Sequence, residues 1–127
     1  MPGAESYQYA LWRVVPDLQR GETLNAGVIL YCRRHGFLEA RVRVDHDRFQ
    51  TLAPALDPRA VADHLDGMAR VAGGDPGAGE LAQLGQSERF GWLVAPASTL
   101  VQPGSVHTGL CADPAELLER LFARLVL

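Results

Sequence analysis

The segment Glu22–Cys32, ETLNAGVILYC, passes from a charged turn directly into the most apolar run of the chain. Its second half, Val28–Cys32, is apolar at both odd and even positions, which is the pattern of a β-strand buried on both faces. Glu22 and Asn25 stand just before that run, and Asn25 is the only asparagine in the protein. The segment therefore predicts a central strand with a carboxylate and an amide at its mouth.

Two further strands are predicted on either side of this one. Tyr7–Val15 is rich in aromatic and β-branched residues and is ended by Pro16. Phe37–Val44 alternates apolar with charged residues, as a strand with one solvated face does. A turn at Arg33–Gly36 joins it to the central strand. The three strands are therefore expected to form an antiparallel meander.

Two amphipathic helices are the clearest helical signals. Each begins with an aspartate cap followed by proline, at Asp57-Pro58 and at Asp113-Pro114, and continues with apolar residues at helical spacing. Thr99–Gln102 and Ser105–Cys111 read as two short strands before the last helix. Ser87–Pro96 has an ambiguous period, and we expect a helical turn that leads into an extended segment.

These elements predict a single α+β domain over residues 1–127. We expect a mostly antiparallel sheet of four or five strands, with the two main helices packed on one face. The glycine- and proline-rich stretch 73–79 is expected to be a flexible loop within this domain, because composition does not change across it.

Composition excludes several classes of protein. The net charge is -3 and all 12 basic residues are arginine, so no basic footprint for nucleic acid or an acidic membrane is present. The two cysteines do not make a disulfide framework. No apolar run approaches the ~20 residues that span a bilayer, and no secretory signal precedes the first strand. We therefore expect a cytoplasmic protein.

A series of motifs resembles one bacterial family. In chain order they are Tyr7-x-Tyr9, Arg13-Val14-Val15-Pro16, Gly21-Glu22-x-x-Asn25-x-Gly27-Val28, Arg89-Phe90-x-Trp92-Leu93-x-Ala95-Pro96, Ser98-Thr99, Gln102, and Val106-His107-Thr108-Gly109-Leu110-Cys111. Together they resemble the family named domain of unknown function 3037, over about residues 7–127. The resemblance implies no assigned activity. It also implies a protein partner of kinase fold (HipA-like), encoded nearby.

Five polar residues at predicted turns and strand ends form the first candidate site. They are Glu22, Asn25, Arg89, Ser98 and His107. In a hydrolase or a nuclease-like enzyme, His107 would act as general acid or base, Glu22 would orient it and Arg89 would hold an anionic group. The alternative is structural: Glu22 would pair with Arg13, and Asn25 would close a turn.

Two other kinds of site are weaker candidates. Cys32, His35, His107 and Cys111 offer ligand-like spacings for zinc, but the site would close only if their strands are adjacent. The arginines around the hairpin, with Tyr31 and Phe37 interleaved, are a candidate surface for single-stranded nucleic acid. Because Glu39 and the negative net charge dilute that surface, a solvated sheet face is the competing interpretation.

The preferred hypothesis is a small accessory or binding protein that acts with a protein partner, without cofactor or metal. The apolar end Leu125–Leu127 favours docking, either onto the sheet or onto a second copy of the chain as a homodimer. The enzyme with the Glu22, Arg89 and His107 site is the alternative.

Overall fold

The computed structural model describes residues 3–17, 19–97 and 99–127. Its five strands are β1 (Glu5–Asp17), β2 (Glu22–Cys32), β3 (Phe37–Val42), β4 (Val101–Pro103) and β5 (His107–Cys111). Its four α-helices are α1 (His46–Leu52), α2 (Pro58–Ala72), α3 (Gln86–Leu93) and α4 (Pro114–Leu125). Within the described ranges, no helix has both the length and the apolar character that crossing a membrane requires.

All five strands belong to one antiparallel sheet. β2 lies between β1 and β3, so the predicted meander with Val28–Cys32 at its centre is confirmed. The opposite edge of β1 is shared: β5 pairs with its first half, from Glu5 to Tyr9, and β4 pairs with Trp12–Val14. The sheet therefore has β1 as a second central strand, and the chain is a single small α+β domain.

A β-bulge in β2 changes which residues face which side. Trp12 pairs with Gly27 and Arg13 pairs with Asn25, so Ala26 is an extra residue with no partner on β1. Before the bulge an even position, Leu24, packs with the first core, whereas beyond it the odd position Ile29 does. Val28 belongs instead to the second core on the opposite face.

The two faces of the sheet carry separate hydrophobic cores. The first contains Trp12 and Ile29 from the sheet, with Phe49, Leu65 and Phe90 from α1, α2 and α3. The second is closed by α4. The prediction that both main helices share one face was wrong, because a strand apolar at every position must bury both of its faces.

Leu117 and Leu118 of α4 pack in this second core with Val28 and Leu30 of β2. The docking of the apolar C-terminal stretch is visible at Val126, which is buried, while Leu127 remains exposed. That stretch therefore completes the domain at its last turn.

The helix starts follow from the aspartate caps. Asp57 accepts a hydrogen bond from the Arg59 amide at 2.9 Å, and Asp113 accepts one from the Glu116 amide at 3.1 Å. A third cap was not predicted: Asp45 accepts from the Arg48 amide at 3.2 Å and starts α1.

The segment Ser87–Pro96 was predicted as a helical turn leading into an extended stretch. α3 instead continues to Leu93, where the Trp12 indole binds its carbonyl. In the stretch 73–79 the chain forms a 3-10 turn at Pro76–Ala78. The Asp75 carboxylate accepts from Arg70 Nε at 2.7 Å and from the Gly77 amide at 2.9 Å. Flexibility of this stretch stays a prediction.

Candidate functional site

Asn25 has a structural partner. Its side-chain amide donates a hydrogen bond of 3.0 Å to the carbonyl of Leu125, which lies one hundred positions further along the chain. That carbonyl belongs to the last turn of α4, where carbonyl groups have no partner within the helix. Asn25 therefore fastens the end of α4 to the mouth of β2.

Gly27, in the same motif, is required by packing. A Cβ atom there would lie 3.0 Å from Trp12 Cε3, 3.0 Å from Val42 Cγ1 and 3.3 Å from the Arg41 carbonyl. Trp12 is fully buried and its Nε1 donates to the Leu93 carbonyl at 2.9 Å. Glycine at the bulge thus makes the room that the indole occupies.

Glu22 lies at the start of β2, opposite Asp17. Its carboxylate pairs with Arg20, and the pair is exposed to solvent. The pairing with Arg13 that the structural alternative expected is not found: Arg13 is exposed and, within the described ranges, makes no ion pair. Because its guanidinium reaches water, it needs no carboxylate partner.

Arg89 binds carbonyl groups. Its guanidinium donates to the Leu84 carbonyl at 2.5 Å and to the Ala72 carbonyl at 3.4 Å, while its Nε is buried without a partner among the described residues. Ala72 ends α2, so the cation lies at the negative end of that helix. Arg89 thereby joins α3 to the end of α2.

His107 lies on β5 directly opposite Tyr9, and the two rings stack with centroids 5.0 Å apart. Glu22 pairs with Asp17 of β1, eight residues further along that strand than Tyr9. Glu22 and His107 are therefore roughly 25 Å apart. Tyr9 packs on the face of the sheet that α4 covers, whereas Arg89 lies at the end of α2 on the other face. The candidates Glu22, Arg89 and His107 are thus not brought together. Ser98, the fifth candidate, lies outside the described residues.

The four weak zinc candidates lie in different places. Cys32 and Cys111 are buried in the second core on opposite sides of β1, and both thiols are free. His35 lies at the hairpin, where its Nε2 is 3.3 Å from the Gly3 carbonyl. His107 is four strand residues from Cys111, or about 13 Å. Among the described residues, no three such side chains form a metal-binding group.

The two cysteines nevertheless influence each other. Burial raises the pKa of the Cys111 thiol above its ordinary value, and the nearby Cys32 thiol raises that pKa further. Their strands flank β1 on either side, and both thiols are free and buried in the second core.

The arginine-rich hairpin lacks the aromatic surface that binding of single strands would use. Tyr31 is buried in the first core, with its ring 5.2 Å from that of Phe90, and Phe37 packs in the second core. Arg41 bonds to Glu119 of α4 at 2.8 Å. The two rings named in that hypothesis therefore serve packing.

An open groove of about 720 Å³ lies between α4 and the strands β1 and β5. It exists because α4 packs mainly against β2 and β3 and leaves this part of the sheet uncovered. We call it the α4 groove. The residues that line it include Tyr7, Tyr9, Leu110, Glu116, Arg120 and Arg124.

One wall of the α4 groove is aromatic. Tyr7 and Tyr9 point to the same side of β1, with ring centroids 6.2 Å apart, and His107 extends the row beyond Tyr9. The Tyr7 ring lies across Gly109, where a Cβ atom would be only 2.5 Å from Tyr7 Cζ. The glycine therefore sets the position of this ring.

The other wall is cationic. Arg120 and Arg124 are one helical turn apart on α4, and neither forms an ion pair with any carboxylate of the described residues. Both are exposed. The groove thus places two free guanidinium groups opposite two tyrosine rings.

Smaller clefts surround the mouth of β2. One of about 420 Å³ lies between Glu22 and α1, and one of about 330 Å³ lies between Asn25 and the end of α4; Arg48 borders both. Glu22 and Asn25 are therefore accessible at this end of the sheet. Their polar atoms are already held by Arg20 and the Leu125 carbonyl.

Comparison with known families agrees with the resemblance in the sequence. The model of one family, described as a protein of unknown function (DUF3037), matches residues 9–126. The chain belongs to this family. No curated protein and no solved structure matches the chain. The match covers every lining residue of the α4 groove except Tyr7.

Sequence reasoning missed the cationic wall. Tyr7-x-Tyr9 has the two-residue spacing that places side chains on one strand face, and Arg120 and Arg124 have the four-residue spacing of one helix face. Both spacings are visible in the sequence. What joins them is the return of β5 beside β1 and the displacement of α4 toward β3, which local patterns do not specify.

Proposed function

We propose that this DUF3037 protein is a non-catalytic binding protein and that the α4 groove is its binding site. The observation that carries the proposal is that Arg120 and Arg124, which form no ion pair among the described residues, line the same open groove as the rings of Tyr7 and Tyr9. Aromatic rings and arginine are the side chains most enriched where proteins bind their partners.

The geometry favours binding over the alternative enzyme. General acid–base catalysis needs its groups within hydrogen-bond reach of one reacting atom. Glu22 and His107 are separated by roughly 25 Å along β1. Arg89 is occupied by carbonyl groups at the end of α2. These three side chains serve separate parts of the fold.

The proposal includes an accessory role in the cytoplasm beside a protein of kinase fold (HipA-like). An accessory protein needs an exposed surface that its own fold does not use, and the rim around the α4 groove supports this role. Leu110, a residue that is 72% exposed, also lines the groove.

A titration followed by amide NMR tests the proposal. The labelled protein is mixed with two samples, a small-molecule extract of the host and the purified kinase-fold protein. We expect shifts concentrated at Tyr9, Leu110 and Arg120 for at least one sample, with the ligand chemically unchanged afterwards. The variant Tyr9→Ala should lose these shifts, while Arg59→Gln, on α2, should keep them.

Two outcomes would overturn the proposal. One is turnover of a compound that His107→Ala abolishes, since this would show a catalyst. The other is a set of shifts centred on Glu22 or Arg89 that Tyr9→Ala leaves intact, since binding would then take place elsewhere on the domain.

A further inference from the structure

We infer that the ligand of the α4 groove is a mononucleotide, a single flat base carrying one phosphate group. This inference rests on the proposed function and adds the chemical class of the ligand. The groove combines the two features that such a ligand needs within one cavity: ring faces for the base and guanidinium groups for the phosphate.

The aromatic wall suits a base. Tyr7, Tyr9 and His107 form a continuous row of near-parallel rings, with interplanar angles of 25° and 26°. A flat base gains stacking from such a row whatever its identity, because every base has a π-face. The rings are held by the strand pairing and by Gly109, so they are arranged before the ligand arrives.

The cationic wall suits a phosphate. A guanidinium group binds phosphate through two parallel hydrogen bonds, and two of them at adjacent turns can share one phosphate. Arg120 and Arg124 have this spacing, and neither forms an ion pair with a carboxylate of the described residues. Their charge is available to a ligand.

The charge distribution along α4 limits the ligand to a single phosphate. Glu116 lines the same groove four residues before Arg120 and eight before Arg124, which is about 6 Å and about 12 Å along the helix axis. Asp113 stands beyond it at the helix start. A strand of nucleic acid that followed the groove would place a second phosphate near these carboxylates. A mononucleotide fills the cationic half alone. The groove volume of about 720 Å³ falls within the ~300–1,000 Å³ typical of small-molecule sites.

Isothermal titration calorimetry tests the inference on the full chain. The probes are adenosine monophosphate, uridine monophosphate, adenosine, inorganic phosphate and a single-stranded hexanucleotide. We expect both mononucleotides to bind, and adenosine and phosphate each to bind at least about tenfold more weakly, since each lacks one half of the ligand. Binding should weaken as salt rises, because the phosphate contact is electrostatic.

Variants locate the site. Tyr9→Leu keeps an apolar side chain but removes the ring, and Arg120→Gln keeps length but removes the charge; each should weaken mononucleotide binding at least about tenfold. Arg59→Gln, which removes an exposed arginine on the other face of the sheet, should leave it unchanged. Circular dichroism melts confirm that each variant is folded.

Three results would overturn the inference: no heat from mononucleotides at millimolar concentration, equal affinity in Tyr9→Leu, or tighter binding of the hexanucleotide than of the mononucleotides. These results would not by themselves overturn the proposed function. If mononucleotides do not bind but Tyr9→Ala still abolishes the groove shifts seen with another ligand, then the site stands and only its ligand class is wrong.

Discussion

Replacing Gly27 with alanine should destabilise the domain through one well-defined clash. The added methyl group would meet Trp12 and Val42 at 3.0 Å each and the Arg41 carbonyl at 3.3 Å. Trp12 cannot retreat easily, because it is fully buried and its indole is held by the Leu93 carbonyl. Overpacking of this kind costs about 1–3 kcal/mol, and we expect Gly27→Ala to lower the free energy of unfolding by that amount.

Urea denaturation followed by circular dichroism measures the loss. Gly67→Ala is the matched control: Gly67 lies in α2 and a Cβ atom there would meet nothing within 4 Å. Both changes restrict the unfolded chain equally. The control should therefore gain about 0.5–1 kcal/mol, since alanine is the better helix residue, while Gly27→Ala loses stability.

A double-mutant cycle identifies the cause. Trp12→Phe removes part of the indole and leaves the Leu93 carbonyl without its donor, so it should itself cost about 1–3 kcal/mol. In that background Gly27→Ala should cost at least about 0.5 kcal/mol less than in the parent chain. The packing argument is refuted if Gly27→Ala costs under about 0.5 kcal/mol, or if its cost is the same in both backgrounds.

Two further changes test other parts of the fold. Asn25→Ala should cost about 0.5–1.5 kcal/mol and speed amide exchange in the last turn of α4, because it removes the donor to the Leu125 carbonyl; unchanged exchange there would argue against this fastening role. Asp75→Asn should flatten the loss of stability below about pH 4. The hydrogen bond from Arg70, followed by that from the Gly77 amide, lowers the pKa of Asp75 in the folded chain, so its stabilisation is present above the unfolded pKa and is lost as pH falls through the folded pKa. If the stability of both proteins fell in parallel at acid pH, this explanation would be contradicted.

Much of the sheet could be predicted because its signals are local. A strand apolar at every position, such as Val28–Cys32, must be central, and an alternating strand such as Phe37–Val42 lies beside it. The same pattern in β2 also requires helices on both faces of the sheet. If β2 is buried on both faces, one layer of helices cannot cover it, so α4 and α2 must lie on opposite sides.

The bulge and the groove could not be predicted in the same way. Ala26 and Gly27 read as ordinary strand residues, and the bulge at Ala26 lies opposite Trp12 and Arg13 of β1. The α4 groove depends on how far α4 is displaced across the sheet, which the Asn25 bond to Leu125 helps to set. Both are consequences of tertiary contacts between distant residues.

The motif Glu22-x-x-Asn25-x-Gly27 therefore has a structural explanation that separates it from the proposed site. Gly27 admits the buried indole, and Asn25 holds the end of α4 beside β2. α4 packs over β2 and β3, and the face of β1 that bears Tyr9 stays open. The motif shapes the groove from the far side of the helix without lining it, and the residues to vary in a search for ligands are Tyr9, Arg120 and Arg124.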